Sequence, residues 1–163
     1  MSHPLTHLDE GGHARMVDVT EKSPTVRAAT AAGSVRVAPE VVALLRDDTV
    51  PKGDVLAVAR VAGIQAAKKT PELLPLAHVI GVHGCTVDLT ITDTGVDVVA
   101  TVRTADRTGV EMEALTSVSV AALAVVDMVK GVDRTARITD IRVLSKQGGR
   151  SGSWTRPETQ DHA

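Results

Sequence analysis

A chain of 163 residues with one Trp and neither Phe nor Tyr must build its interior from small aliphatic side chains. Val, Ala, Leu and Ile have to fill that space. They do so only where backbones approach closely or where partner subunits add burial. A single domain of this length can still bury roughly 68–70% of the surface of its unfolded chain, so a core is attainable. The missing aromatics also remove the stacking platforms of single-stranded nucleic-acid binders. With 18 basic and 20 acidic residues, a net charge of −2 gives no cationic surplus for a phosphate backbone. No nucleic-acid partner is expected. Cys85 is the only cysteine, which excludes an internal disulfide and an all-thiolate zinc site; it reads as a small buried hydrophobe on a strand. The start, Met1 to His7, lacks a basic segment leading into an apolar one, and no window approaches ~20 continuous apolar residues. A soluble cytoplasmic protein without a membrane segment is expected.

Hydrophobic periodicity divides the chain into a polar arm over 1–14, one α+β domain over 15–146 and a Gly/Ser-rich, partly disordered tail over 147–163. Thr25 to Val37 is β-compatible. Pro39 opens a short helix to Arg46, in the first-turn position where proline costs nothing. Asp54 is positioned to cap a helix reaching Lys69, stopped by Thr70-Pro71, with a small-residue stripe of Leu56, Ala59, Gly63 and Ala66. Val82–Thr92 and Val96–Thr104 alternate around the turn chemistry of Asp93-Thr94-Gly95 and form a hairpin. A long helix from Val110 to Val132 repeats Leu115, Val118, Ala122, Val125 and Val129 at three- and four-residue steps. Ala136 to Ser145 is a last strand. This order implies an antiparallel sheet with helices packed on one face, of the ferredoxin-like split βαβ class.

Several polar stretches have both a structural and a chemical reading. Lys52 precedes a helix whose N-terminal field disfavours an ammonium, so it is either a loop lysine or a proton-exchanging one. Lys68 and Lys69 close the same helix as a solvated cap or as an anion-binding pair. His78 lies in the apolar run Pro75–Ile80, either as a satisfied core residue or as a ligand contact. Glu111, Met112 and Glu113 open the long helix, where acids suit the N-terminus. Asp127 and Lys130 sit three apart near its end, as a surface ion pair or a catalytic one. Lys146 to Gly152 sets Lys146 and Arg150 among glycines, as a tail or a phosphate cradle, though without P-loop spacing. Glu113 and Asp127 are fourteen positions apart on one helix, roughly 21 Å along the axis at ~1.5 Å per residue. If both ends act on one small molecule, they must come from different subunits.

Together these stretches resemble one family. Met16–Val19, Lys52-Gly53-Asp54-Val55, Ala62–Lys68, Thr108-Gly109-Val110-Glu111-Met112-Glu113-Ala114-Leu115-Thr116 and Lys146–Gly152 are similar to the cyclic pyranopterin monophosphate synthases, the molybdenum cofactor biosynthesis protein C family. The likeness spans about residues 5 to 154 and departs from the family's Leu-Cys-His-Pro at Ala77 and Val79. It implies a ferredoxin-like homohexamer, a trimer of dimers with its site at a subunit interface. It implies a lyase that converts 3′,8-cyclo-7,8-dihydroguanosine 5′-triphosphate to cyclic pyranopterin monophosphate and pyrophosphate. Carried over by motif, Lys52, Asp127 and Lys130 are catalytic. Leu76, Ala77, His78, Met112, Glu113, Glu111, Lys68, Lys69, Lys146 and Arg150 bind substrate. No metal site and no cofactor are required, though Mg²⁺ could accompany the triphosphate. A weakened paralogue that binds a nucleotide or partner is the alternative.

Overall fold

A computed structural model describes residues 7–157, so the ends of the expected arm and tail, 1–6 and 158–163, lie outside the described residues. The elements run β1 (Thr25–Arg36), α1 (Pro39–Arg46), α2 (Val55–Lys68), α3 (Thr70–Leu73), β2 (Gly84–Thr92), β3 (Gly95–Asp106), α4 (Glu111–Val129), β4 (Arg137–Gln147) and β5 (Trp154–Thr155). The sheet order is β2-β3-β1-β4-β5 and every neighbouring pair is antiparallel. This is the α+β, ferredoxin-like arrangement: each helical crossover joins two strands that flank a third.

The aromatic-free core works by close approach. From the sheet, Ala29, Ala31, Val35, Val96, Val98, Ala100 and Val102 are buried against Ala114, Val118, Ala121, Ala122, Val125 and Val129 of α4. In α2, Gly63 lies so near α4 that a Cβ there would sit 3.0 Å from Ser117 O and 3.1 Å from the Ala121 Cβ. By composition α4 could match a membrane span, with a mean hydropathy of 1.7 over its best window. Its apolar length is instead that of a core helix packed on the sheet.

Local differences from the sequence reading have simple causes. Pro71 does not merely end α2. It takes a first-turn position in α3, where its missing N–H is no loss. Asp54 caps α2 as expected, its Oδ1 accepting from Ala57 N at 2.9 Å. β4 shifts register twice against β1, and Asp140 takes the left-handed region at φ 59, which Asp tolerates at a bulge. Leu115 is only half-buried, whereas the rest of its stripe is buried. Cys85 is half-buried, 3.8 Å from Ser117 Oγ, and burial pushes its thiol up. Two stretches expected to be loose carry local order: Leu8 bridges Ala14, and Trp154–Thr155 pair with Lys146 and Ser145.

Candidate active site

The sequence-derived site residues fall mainly into two groups, one at each end of α4. At its C-terminal end, Asp127 Oδ1 lies 2.7 Å from Lys130 Nζ and 3.6 Å from Lys52 Nζ. The Lys52 ammonium also donates to Asp127 O at 2.8 Å. Lys52 therefore reaches away from the positive end of α2 toward the negative end of α4, where a cation is favoured. That differs from the electrostatic setting expected for it from sequence order alone. The hydrogen bond and charge of Lys130, reinforced by Lys52, hold the Asp127 carboxyl below its usual range. All three side chains remain solvent-accessible, so the cluster can meet an incoming ligand.

At the opposite end lies a cavity of about 400 Å³. Leu76, Ala77, His78, Glu111, Met112 and Glu113 all line it, joined by Thr108 and Gly109. A Cβ at position 109 would displace the Glu111 carboxylate, which folds back over that glycine. His78 Nε2 lies 2.6 Å from Val17 O. A carbonyl only accepts, so Nε2 carries the proton and donates. Glu113 is only 3% exposed at the first turn of α4. The helix N-terminus favours its anion, yet burial wins and pushes the carboxyl up, with the Glu111 charge adding to the effect and His78 opposing it. Lys146 does not itself line the cavity but pairs with Glu111, which does, its Nζ 3.3 Å from Glu111 Oε1, and it donates to Ser151 Oγ at 2.6 Å.

Not every expected residue converges. Lys68 and Lys69 are absent from the cavity lining; Lys68 lies near enough to Cys85 to lower its thiol slightly. Arg150 is exposed in the turn after β4. In return, the cavity gains His7, Val17, Val19 and Lys22 from the segment before β1, to which the sequence reading gave no role. Arg27 stands near the same end of the sheet, donating to Asp106 O at 3.1 Å and to Arg107 O at 3.2 Å. Arg107 donates in turn to Lys22 O at 2.8 Å. Only the Met16–Val19 likeness marked this segment, because isolated cations in a polar stretch carry no periodicity. Among the described residues no group of His, Cys, Asp or Glu converges as a metal site.

A ferredoxin-like sheet with a lysine–aspartate–lysine cluster and a separate acidic, histidine-bearing cavity defines a small-molecule α+β protein whose polar groups are split between two ends. The MoaC family profile matches residues 16–149, and the chain belongs to that family. It is 64% identical over 152 residues to a cyclic pyranopterin monophosphate synthase of Streptomyces coelicolor, covering 93% of this chain and 89% of the relative. A protein of the same name from a Nocardioides species is 63% identical over 156 residues, 94% of this chain and 96% of that one. One from Chloroflexus aurantiacus is 56% identical over 155 residues, 94% and 95% of the two chains.

Proposed function

We propose that the chain is a cyclic pyranopterin monophosphate synthase, a lyase of molybdenum cofactor biosynthesis. Its substrate is 3′,8-cyclo-7,8-dihydroguanosine 5′-triphosphate, and its products are cyclic pyranopterin monophosphate and pyrophosphate. The observation that carries this reading is the Lys52–Asp127–Lys130 cluster, held within ion-pair distance inside the segment that matches the family.

The lysines exchange protons as the five-membered purine ring opens and the pterin ring forms, and Asp127 orients both ammoniums. His78, Met112 and Glu113 hold the heterocycle, and Lys146 faces the phosphates. A ribose hydroxyl then attacks the α-phosphorus. The P–O bond to the β-phosphate breaks, the hydroxyl proton passes to a base, and pyrophosphate leaves. Mg²⁺ enters, where it is used, with the triphosphate.

The two polar ends of α4 are roughly 21 Å apart and cannot close on one small substrate. The site is therefore assembled between subunits of a cytoplasmic homohexamer, with the cavity of one protomer facing Lys52 and Lys130 of the partner subunit. Incubation of purified protein with the cyclised nucleotide tests the activity. Stoichiometric release of pyrophosphate and the cyclic monophosphate is expected. Tight binding without turnover would instead identify a silent paralogue.

A further inference from the structure

Arg36 closes β1 and Arg137 opens β4, and the antiparallel register sets them directly opposite each other. Like charges in that relation repel. Both line a cavity of about 510 Å³ with Val37, Ala38, Thr94 and Thr135. This cavity is distinct from the one beside His78, and lies at the other end of the strands.

Nothing nearby fully offsets the pair. Arg36 Nη1 donates to Thr94 Oγ1 at 2.6 Å, which fixes the guanidinium, and Asp97 Oδ1 is 3.9 Å away, too far for a hydrogen bond. Asp97 is also engaged by Ser34 Oγ at 2.7 Å. Among the described residues Arg137 has no ion pair and no side-chain hydrogen bond. The buried Asp133 carboxylate is committed elsewhere: Oδ2 accepts from Ala38 N at 2.8 Å, and Oδ1 from both N and Oγ1 of Thr135 at 2.7 Å. Two guanidiniums line one cavity, one of them already oriented, and each offers the forked N–H donors that phosphate oxygens accept from.

We propose that Arg36 and Arg137 form a second anion site, which takes a phosphate group between the two guanidiniums. The same chemistry serves free pyrophosphate and the terminal phosphates of a nucleoside triphosphate. The site makes no call on the residues assigned to turnover, so its test stands or falls apart from the proposed activity.

Isothermal titration of the full-length protein with sodium pyrophosphate in chloride buffer reads it. Wild-type protein is expected to show one more binding event per protomer than R36Q/R137Q. The double variant should retain turnover, which also shows that it is folded. R36K/R137K keeps the charge but loses the forks, and should bind at that site about tenfold more weakly. Asp97→Asn removes the nearest competing charge while keeping an acceptor for Ser34, and should tighten it. Titration with guanosine triphosphate separates the sources: tighter binding than pyrophosphate assigns a nucleotide, equal or weaker binding the free anion. Unchanged stoichiometry and affinity in R36Q/R137Q, or weaker binding in Asp97→Asn, would overturn the proposal.

Discussion

Glu113 shows how one residue can be placed against its own electrostatic preference. An acid in the first helical turn is ordinarily a stabilising surface feature, but this one is buried at the cavity wall. Its folded-state pKa lies above the unfolded value, so ionising it opposes folding. That cost is absent at pH values below the unfolded carboxylate range. It develops as pH rises and is fully present above the raised value. Glu113→Gln should therefore be more stable than wild type at neutral pH, with the difference vanishing under acid, as thermal unfolding across a pH series would show. The same substitution should lower kcat/KM by about 10–100-fold if the carboxyl recognises the heterocycle, since losing a charged partner costs roughly 1.5–3 kcal/mol. Unchanged turnover would remove Glu113 from the site. At the other end, Lys52→Ala and Lys130→Ala should each cut single-turnover rates by about 10²–10⁴-fold, the usual range for general acid–base groups. Near wild-type rates in both would sink the lysine assignment.

At the scale of elements, the absence of Phe and Tyr becomes a question of helix separation. Gly63 lets α2 approach both α4 and β2, with Val87 Cγ2 also 3.1 Å from where its Cβ would be. Gly63→Ala introduces that crowding but recovers up to ~1 kcal/mol of helix propensity, so the two nearly cancel. Gly63→Val adds bulk without that compensation and should destabilise by about 1–3 kcal/mol, read as a lower chemical-denaturation midpoint. A Val variant as stable as wild type would show that the helices can separate freely. Small-residue stripes of this kind are legible in sequence because periodicity alone marks them, and β1, the β2–β3 hairpin, α1, α2, α4 and β4 were all readable in that way. β5 was not, because two residues cannot display a period and Trp154–Thr155 is fixed only by pairing with β4. Lys22 and Arg27 were missed for a related reason: what brings them near the cavity is hydrogen bonding across the sheet end to Arg107 and Asp106, over separations of 79 to 85 positions. The Lys52–Asp127 contact, spanning 75 positions, is long-range in the same sense and emerged only through the family likeness.

For the whole molecule, the length of α4 is the governing quantity. It is one rigid core helix, so the distance between its polar ends cannot be shortened by side-chain motion, and neither end alone holds both the cavity and the lysines. A second copy related by a two-fold axis would bring opposite ends together twice, making two equivalent sites and adding burial to a protomer poor in large side chains. This assembly predicts complementation between two dead proteins. Lys130→Ala disables the lysine end and His78→Ala the cavity end, and each alone should lose most activity. In a mixed dimer, one site inherits both substitutions while the other inherits neither. Co-expression at equal levels makes about half of the dimers mixed, so about a quarter of all sites are intact. Activity near that fraction of wild type is expected from the co-expressed pair. Activity no higher than in either parent, in a protein shown to be mixed by mass spectrometry, would mean that each site draws all its residues from one chain.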